Sequence, residues 1–189
     1  MSYKMKITSL LITTTYCFSL LAWSTPSYAE DGQFGAPIMK GSGCSGSSKY
    51  SLTPNKKTLS ISFKKFIASP SNKSCSLTIP ITVPAGMRVS TLTANYQGFV
   101  KGKGELKRSY KISGSGKTKQ NNFTKNKEGD SYYIKDNLAG ISQKASTCGK
   151  DMILKINARV KASDSNSSIS VDSSNSSSGA IFHLQYKSC

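Results

Sequence analysis

The amino-acid sequence predicts an all-β protein, an antiparallel β-sandwich of jelly-roll-like type with two disulfides. Three observations lead to this prediction: short segments alternate apolar and polar residues, turn-forming clusters separate them, and an even number of cysteines follows an export signal. Alternation with a period of two places the apolar side chains on one face, as in half-buried strands. Many short strands with turn signals between them are typical of sandwiches and jelly rolls.

Alternation is strictest in segments 58–63 and 76–83. Leu59, Ile61 and Phe63 share one face of the first segment. Pro80 falls on the outward phase of the second, which suits an edge or bulge position because proline cannot donate a ladder hydrogen bond. No segment predicts a helix, and the only candidate is a turn over 136–142. Further β-rich segments bring the total to eight or nine strands: 89–96, 110–112, 132–134, 152–160, 169–171 and 181–186.

The first 29 residues predict a secretory signal peptide that leaves residues 30–189 as one secreted domain. Lys4 and Lys6 give a positive start, residues 9–23 are largely apolar, and residues 27–29 have the small-x-small pattern of a cleavage site. The apolar stretch is too short and too rich in hydroxyl groups for a membrane span, and no later segment is long enough. We therefore expect a protein that is secreted, periplasmic or extracellular.

Four cysteines remain after the signal peptide: Cys44, Cys75, Cys148 and Cys189. An even number in an exported chain predicts structural disulfides rather than metal ligands or a catalytic thiol. Three pairings are open. We favour Cys44–Cys75 with Cys148–Cys189, because this pairing ties each terminal segment to a nearby strand. Closing loops of about 30 to 40 residues stabilises a fold by roughly 3–4 kcal/mol each in the chain-entropy model.

Several short motifs, read together, resemble the secreted proteins grouped as domain of unknown function 4360. The resemblance covers residues 36–189 and implies a secreted, disulfide-bonded β protein with no activity to carry over. The lysine-rich middle segment and Tyr186, where tryptophan is commoner, depart from the family pattern. The motifs are Gly41-Ser42-Gly43-Cys44, Leu59 to Phe63, Lys73 to Leu77, Val83-Pro84-Ala85-Gly86, Tyr96 to Phe99, Cys148-Gly149, Ser170-Val171-Asp172 and Phe182 to Cys189.

The formal net charge of +17 is concentrated in a basic run over residues 101–127. Aromatic residues interleave with the lysines and glycines suggest flexible loops, so the segment could hold anionic groups by charge and by stacking. Lysines on exposed strands also prevent edge-to-edge aggregation, and this alternative stays open. The predicted polyanion-binding residues are Lys101, Lys103, Lys107, Arg108, Lys111, Lys117 and Lys119.

Catalytic, metal-binding and cofactor motifs are weak. His183 is the only histidine, and no partner for a triad or a zinc site lies near it in the sequence. The acids Asp130, Asp136, Asp151, Asp164 and Asp172 are scattered over loops and strand ends. The sequence therefore predicts a protein without catalytic residues, metal or cofactor.

Three classes of function stay open. The first is a non-catalytic module that binds anionic polymers or envelope glycans, with nucleic acid bound only non-specifically. The second is a structural or protein-interaction component of the cell surface or matrix. The third is a hydrolase, which would need polar residues that converge in a pocket.

Overall fold

The computed structural model describes residues 32–44, 46, 48–172 and 179–189. The predicted signal peptide, residues 1–29, lies outside the described residues. In chain order the elements are β1 (Gln33–Phe34), β2 (Ile38–Lys40), β3 (Lys49–Leu52), β4 (Thr58–Ser62), β5 (Ile67–Ala68), β6 (Asn72–Thr82), β7 (Met87–Lys101), β8 (Lys103–Ile112), β9 (Ser115–Thr124), β10 (Asp130–Asn137), α1 (Ala139–Ala145), β11 (Met152–Ala162), β12 (Ser168–Ser170) and β13 (Ala180–Ser188).

The strands form two antiparallel sheets that enclose one core, which confirms the predicted antiparallel sandwich. Sheet 1 has the order β1-β6-β11-β8-β9, with β2 also beside β6. Sheet 2 has the order β3-β4-β13-β7-β12-β5, and β10 pairs with the other edge of β7. Apolar residues at alternate positions of both sheets are buried in a single cluster. The layered packing follows from the period-two pattern, since each sheet has one apolar face to cover.

The strictly alternating segments form central parts of both sheets. Leu59 and Ile61 of β4 are fully buried, and β6 alternates buried and exposed positions along most of its length. Pro80 lies in β6 opposite the break between β1 and β2, where Gly35 N–H donates to its carbonyl oxygen at 2.8 Å. The ladder beside Pro80 is therefore interrupted at the position where proline has no N–H to contribute.

The basic segment is a regular β-hairpin rather than a set of flexible loops. Strands β8 and β9 pair over their full lengths, from Lys103 opposite Thr124 to Ile112 opposite Ser115. The two turn residues, Ser113 and Gly114, both have positive φ angles, 43° and 89°, as a type I′ hairpin turn requires. Strand β9 was not predicted from the sequence, because Phe123 is its one large apolar residue and a single residue gives no apolar period.

A second difference lies at the predicted turn over residues 136–142. Strand β10 continues to Asn137, and the short helix α1 follows, with Ile141 and Ser142 buried. In the turn that leads into α1, Asn137 Oδ1 accepts a hydrogen bond from Ala139 N–H at 2.9 Å. A helix of seven residues is too short to show an amphipathic period in the sequence.

Both disulfides have the favoured pairing. The Cα atoms are 5.4 Å apart in Cys44–Cys75 and 6.0 Å apart in Cys148–Cys189. Cys44 and Cys75 are 2% and 1% exposed, whereas Cys148 and Cys189 are exposed. The first bond therefore lies within the core, and the second ties the end of β13 to the segment before β11 at the surface.

We predict that a mild reductant opens Cys148–Cys189 before Cys44–Cys75 in the folded protein, because thiol exchange requires access to the sulfur atoms. Alkylation of the native protein at increasing reductant concentration, followed by peptide mass spectrometry, measures the order. In urea, where both bonds are accessible, the difference should disappear. Equal reduction rates in the native state would contradict the prediction.

Candidate anionic-ligand site

The structure corrects the placement of Arg108 on the predicted binding surface. Arg108 lies on the inward face of β8 and is 1% exposed. Its guanidinium group donates from Nε to Asp136 Oδ2 at 2.8 Å and from Nη2 to Asp136 Oδ1 at 3.1 Å. Nη1 donates to Leu106 O at 2.9 Å, and Nη2 to Asn121 Oδ1 at 2.8 Å. A residue whose donors are committed inside the core cannot bind an external polymer.

Two core tyrosines contact this pair, one through Asp136 and one through Arg108. The Tyr110 hydroxyl donates to Asp136 Oδ2 at 2.5 Å, and the guanidinium carbon of Arg108 lies 5.5 Å from the centroid of the Tyr96 ring. Burial by itself lowers the pKa of Arg108, but the hydrogen bonds and charge of Asp136 raise it overall, so the arginine stays charged. Arg108 and Tyr110 belong to sheet 1, whereas Asp136 and Tyr96 belong to sheet 2, so the network bridges the sandwich.

Three of the predicted lysines project from the outer face of sheet 1. Lys103, Lys107 and Lys111 alternate with inward residues along β8, and all three are exposed. Because side chains two residues apart share a face of a strand, these three form one row. The sequence analysis placed Lys107 and Lys111 together on the face opposite Arg108, and the structure agrees.

The remaining predicted lysines lie elsewhere. Lys117 and Lys119 are on the opposite phase of β9, the phase on which Phe123 packs against Tyr132 with ring centroids 4.7 Å apart. Lys117 lines a cavity of about 360 Å³ beside α1. Lys101 ends β7 in sheet 2. The seven predicted residues therefore do not form one surface, because a strand sends successive side chains to opposite faces.

Strand β11 completes the row of cations on sheet 1, and the sequence analysis missed it. Lys155, Arg159 and Lys161 are exposed on the same outer face, beside the lysines of β8. The signal was present in the strict alternation of β11, whose inward positions are apolar and whose outward positions include three cations. We call the resulting surface the basic face; it consists of Lys103, Lys107, Lys111, Lys155, Arg159 and Lys161.

Like charges lie directly opposite one another on the basic face. Lys111 is the ladder partner of Lys155, and Lys107 is the partner of Arg159. Such partners have Cα atoms about 4.5–5.5 Å apart, and like charges at this position are destabilising. Glu105, opposite Lys161, accepts a hydrogen bond from a neighbouring glutamine. Among the described residues the ion pairs are Arg108–Asp136 and Lys125–Asp130, so no carboxylate pairs with the basic face.

A neutral row separates the two cationic pairs. Asn157 and Ser109 are ladder partners between them. The Ser76 hydroxyl donates to Asn157 Oδ1 at 2.7 Å, and the Thr118 hydroxyl donates to Ser109 Oγ at 3.3 Å. These two hydrogen bonds link β11 to β6 and β8 to β9, and they leave the surface polar between the charges.

A cavity of about 590 Å³ lies at one end of the basic face. Lys111 and Lys155 line it together with Asp151, which follows from their positions at neighbouring strand ends. Pro80 and Ile153, also ladder partners, form an apolar part of the lining. The cavity therefore combines two cations, one carboxylate and an aliphatic wall.

The other groups weighed in the sequence analysis do not converge. His183 is exposed on sheet 2, with Nδ1 3.2 Å from the Thr58 hydroxyl oxygen. Asp130 pairs with a surface lysine, and Asp164 accepts hydrogen bonds within its own loop. Within the described ranges no three histidine, cysteine or acidic residues are grouped as metal ligands. No helix in the described part of the chain is long and apolar enough to span a membrane.

The fold, the disulfides and the basic face define a class: a disulfide-bonded β-sandwich protein with a strongly cationic sheet surface. Residues 36–189 match the model of the family described as Domain of unknown function (DUF4360). The chain belongs to that family. This result confirms the resemblance seen in the sequence motifs.

The chain is also similar in sequence to a secreted protein and aligns with two solved structures. An "Uncharacterized secreted protein" of Arthroderma benhamiae is 27% identical over 169 residues, covering 79% of this chain and 68% of the relative. With the two disulfides, this relative identifies the chain as a secreted protein. The structure of TmCBM61 with β-1,4-galactotriose aligns with 85% of this chain and 93% of that chain, at 11% identity and a TM-score of 0.31. The enzymatically active domain of tailspike protein 4 of bacteriophage CBA120 aligns with 81% of this chain and 19% of that chain, at 12% identity and a TM-score of 0.24. TM-scores this low do not establish a common fold.

We predict that Arg108→Met destabilises the fold by about 3–5 kcal/mol, because it leaves the Asp136 carboxylate buried without a partner. Lys107→Met, one residue earlier and exposed, should change the free energy of unfolding by no more than about 0.5 kcal/mol. Urea denaturation measures both. The double variant Arg108→Met/Asp136→Leu should regain much of the loss, and a loss equal to the sum of the single changes would contradict a coupled pair.

We also predict that stability falls steeply in alkaline solution. Burial raises the pKa values of Tyr96, Tyr110, Tyr132 and Tyr186 in the folded state. The tyrosine pKa in the unfolded chain is about 10, so the unfolded state loses these protons at a lower pH than the folded state. The contribution of the four tyrosines to the free energy of unfolding is therefore complete below pH about 10 and is lost as the pH rises further. Tyrosinate absorbance from the buried rings should therefore appear together with loss of near-UV circular dichroism. Ionisation of all tyrosines with the fold intact would contradict this prediction.

Proposed function

We propose that the protein is a non-catalytic module that binds anionic polymers through the basic face. The observation that carries the proposal is the direct opposition of Lys111 to Lys155 and of Lys107 to Arg159, with no carboxylate paired to any of them. An arrangement that repels itself in the free protein is relieved when an anionic group lies between the two cations. Binding of an anionic group is therefore favoured by the loss of a repulsion between cations that is present in the free protein.

The shape of the basic face supports a polymer rather than a small molecule. The cations are spread along two neighbouring strands, and the neutral row of Ser109 and Asn157 separates the pairs. An extended chain with repeated negative charges can contact several cations at once and release counterions at each contact. Lysines predominate, and lysine acts as a point charge without the fixed fork of arginine, so selectivity on the open face is low.

The absence of catalysis is part of the proposal. His183 lies on sheet 2, whereas the basic face belongs to sheet 1. Asp136, the most buried carboxylate among the described aspartates, is committed to Arg108 and Tyr110. These two groups are thus separated from the surface that would hold a substrate, and Asp151 is the one aspartate among the described residues lining the cavity beside it.

A second candidate function is protein contact through the outer face of sheet 2. Phe99, Tyr133 and Ile67 are 41%, 64% and 48% exposed there. Phe99 and Tyr133 occupy diagonal positions on β7 and β10, close enough for large side chains to form one patch. Self-association that is insensitive to lysine substitution would favour this candidate.

The experiment for the first candidate replaces Lys107, Lys111, Lys155 and Arg159 with glutamine in one variant. Affinity for heparin and single-stranded DNA is measured over a salt series. The parent should bind both with a steep salt dependence. The variant should bind more weakly, with the slope of log K against log salt reduced by about 3, since each contact contributes about 0.7–0.9.

A matched control replaces Lys49, Lys64, Lys65 and Lys187, four exposed lysines outside the basic face, with glutamine. The control has the same net charge as the test variant. If both variants lose the same affinity, the net charge and not the basic face attracts the polymer, and the proposal fails. Absence of binding by the parent protein would also overturn it.

A further inference from the structure

The cavity at the end of the basic face points to the chemical class of the polymer. We propose that this cavity binds one sugar residue of an acidic polysaccharide, with its anionic group between Lys111 and Lys155. The inference rests on the proposed function and makes it specific. The volume of about 590 Å³ lies within the range of about 300–1,000 Å³ that is usual for small-ligand sites.

The apolar wall favours a saccharide over a nucleobase. Ile153, which is 48% exposed, and its ladder partner Pro80 present aliphatic surface to the cavity. The C–H face of a pyranose ring packs against such surface and leaves its hydroxyl groups at the ring edge. Proteins that bind single-stranded nucleic acid stack the bases on aromatic side chains. No aromatic side chain is present among the described residues that line this cavity.

The charges favour a ligand that has hydroxyl groups as well as an anionic group. The Lys111–Lys155 pair suits a carboxylate or a sulfate ester. Asp151 is fixed by Val83 N–H, which donates to its Oδ1 at 2.8 Å. Its second oxygen, Oδ2, can accept a hydrogen bond from a hydroxyl group. The charge of Asp151 repels the anionic groups of both kinds of polymer, but a sugar hydroxyl can donate to Oδ2 and a phosphodiester group has no donor, so Asp151 favours the sugar.

The test is the variant Asp151→Asn, with binding measured for oligogalacturonate, sulfated dextran and oligodeoxythymidylate. Asparagine keeps an oxygen for Val83 N–H but removes the charge. Affinity for oligogalacturonate should fall about tenfold, because a charge-assisted hydrogen bond to a sugar hydroxyl is weakened. Affinity for the oligonucleotide should rise, because a repulsive charge has been removed. The two responses have opposite signs, which a change in net charge cannot produce.

Two controls accompany this variant. Asp164→Asn removes a carboxylate that also accepts from a backbone N–H, that of Asn166, but lies outside the cavity lining. It should raise affinity for all three probes slightly or leave it unchanged. Ile153→Asn removes the apolar wall at an exposed position and should weaken oligogalacturonate binding while leaving the oligonucleotide unaffected.

The outcomes separate the two proposals. If Asp151→Asn strengthens binding of every probe, the cavity makes no sugar-specific contact and the inference fails, while binding by the basic face stands. If the parent binds none of the probes, both proposals fail. The measurements with sulfated dextran identify the anionic group. If Asp151→Asn weakens binding of sulfated dextran as it weakens binding of oligogalacturonate, the cavity accepts any acidic sugar. If binding of sulfated dextran does not change, the cavity requires a sugar with a carboxylate.

Discussion

The interaction on which the sandwich depends is the buried pair of Arg108 and Asp136. The arginine belongs to sheet 1 and the aspartate to β10 of sheet 2, so their hydrogen bonds fix how the two sheets are placed against each other. Removing charges from water is costly, and this pair tolerates burial because the Leu106 carbonyl oxygen, the Asn121 side chain and the Tyr110 hydroxyl satisfy its remaining atoms. The bidentate geometry of the pair adds directional contacts between the sheets to the apolar packing around it.

Most of the fold could be predicted from the sequence, since alternation identified the central strands and the cysteines identified the cross-links. The prediction failed where the local pattern gives no information. Strand β9 has no apolar period, because one face meets solvent and the other, apart from Phe123, is polar and contributes Asn121 to the buried pair. Arg108 was assigned to the surface because an arginine in a lysine-rich segment looks solvated, and its partner Asp136 lies 28 residues away. Such a partner is recognisable only when the pairing of strands is known.

The position of the candidate site could not be predicted from proximity in the sequence either. Proximity in sequence grouped seven basic residues of one segment, but strand geometry distributed them over the core and several surfaces. The basic face is assembled instead from β8 and β11, whose cations become neighbours through the register of the ladder. The sequence contained both sets of cations, each at outward positions of an alternating segment. What it lacked was the information that the two strands are adjacent.

The position of β13 has a consequence for how the protein is made. This strand lies between β4 and β7, so sheet 2 is divided into two parts until residues 180–188 have been synthesised. Pairing a segment near residue 60 with one near residue 180 requires closure of a long loop, which makes folding slow. Until that contact forms, the β3–β4 pair has no link to β7 and to the strands beside it. Sheet 2 is thus completed by the last strand of the chain, and the two parts of the sheet cannot pack as one layer before it is in place.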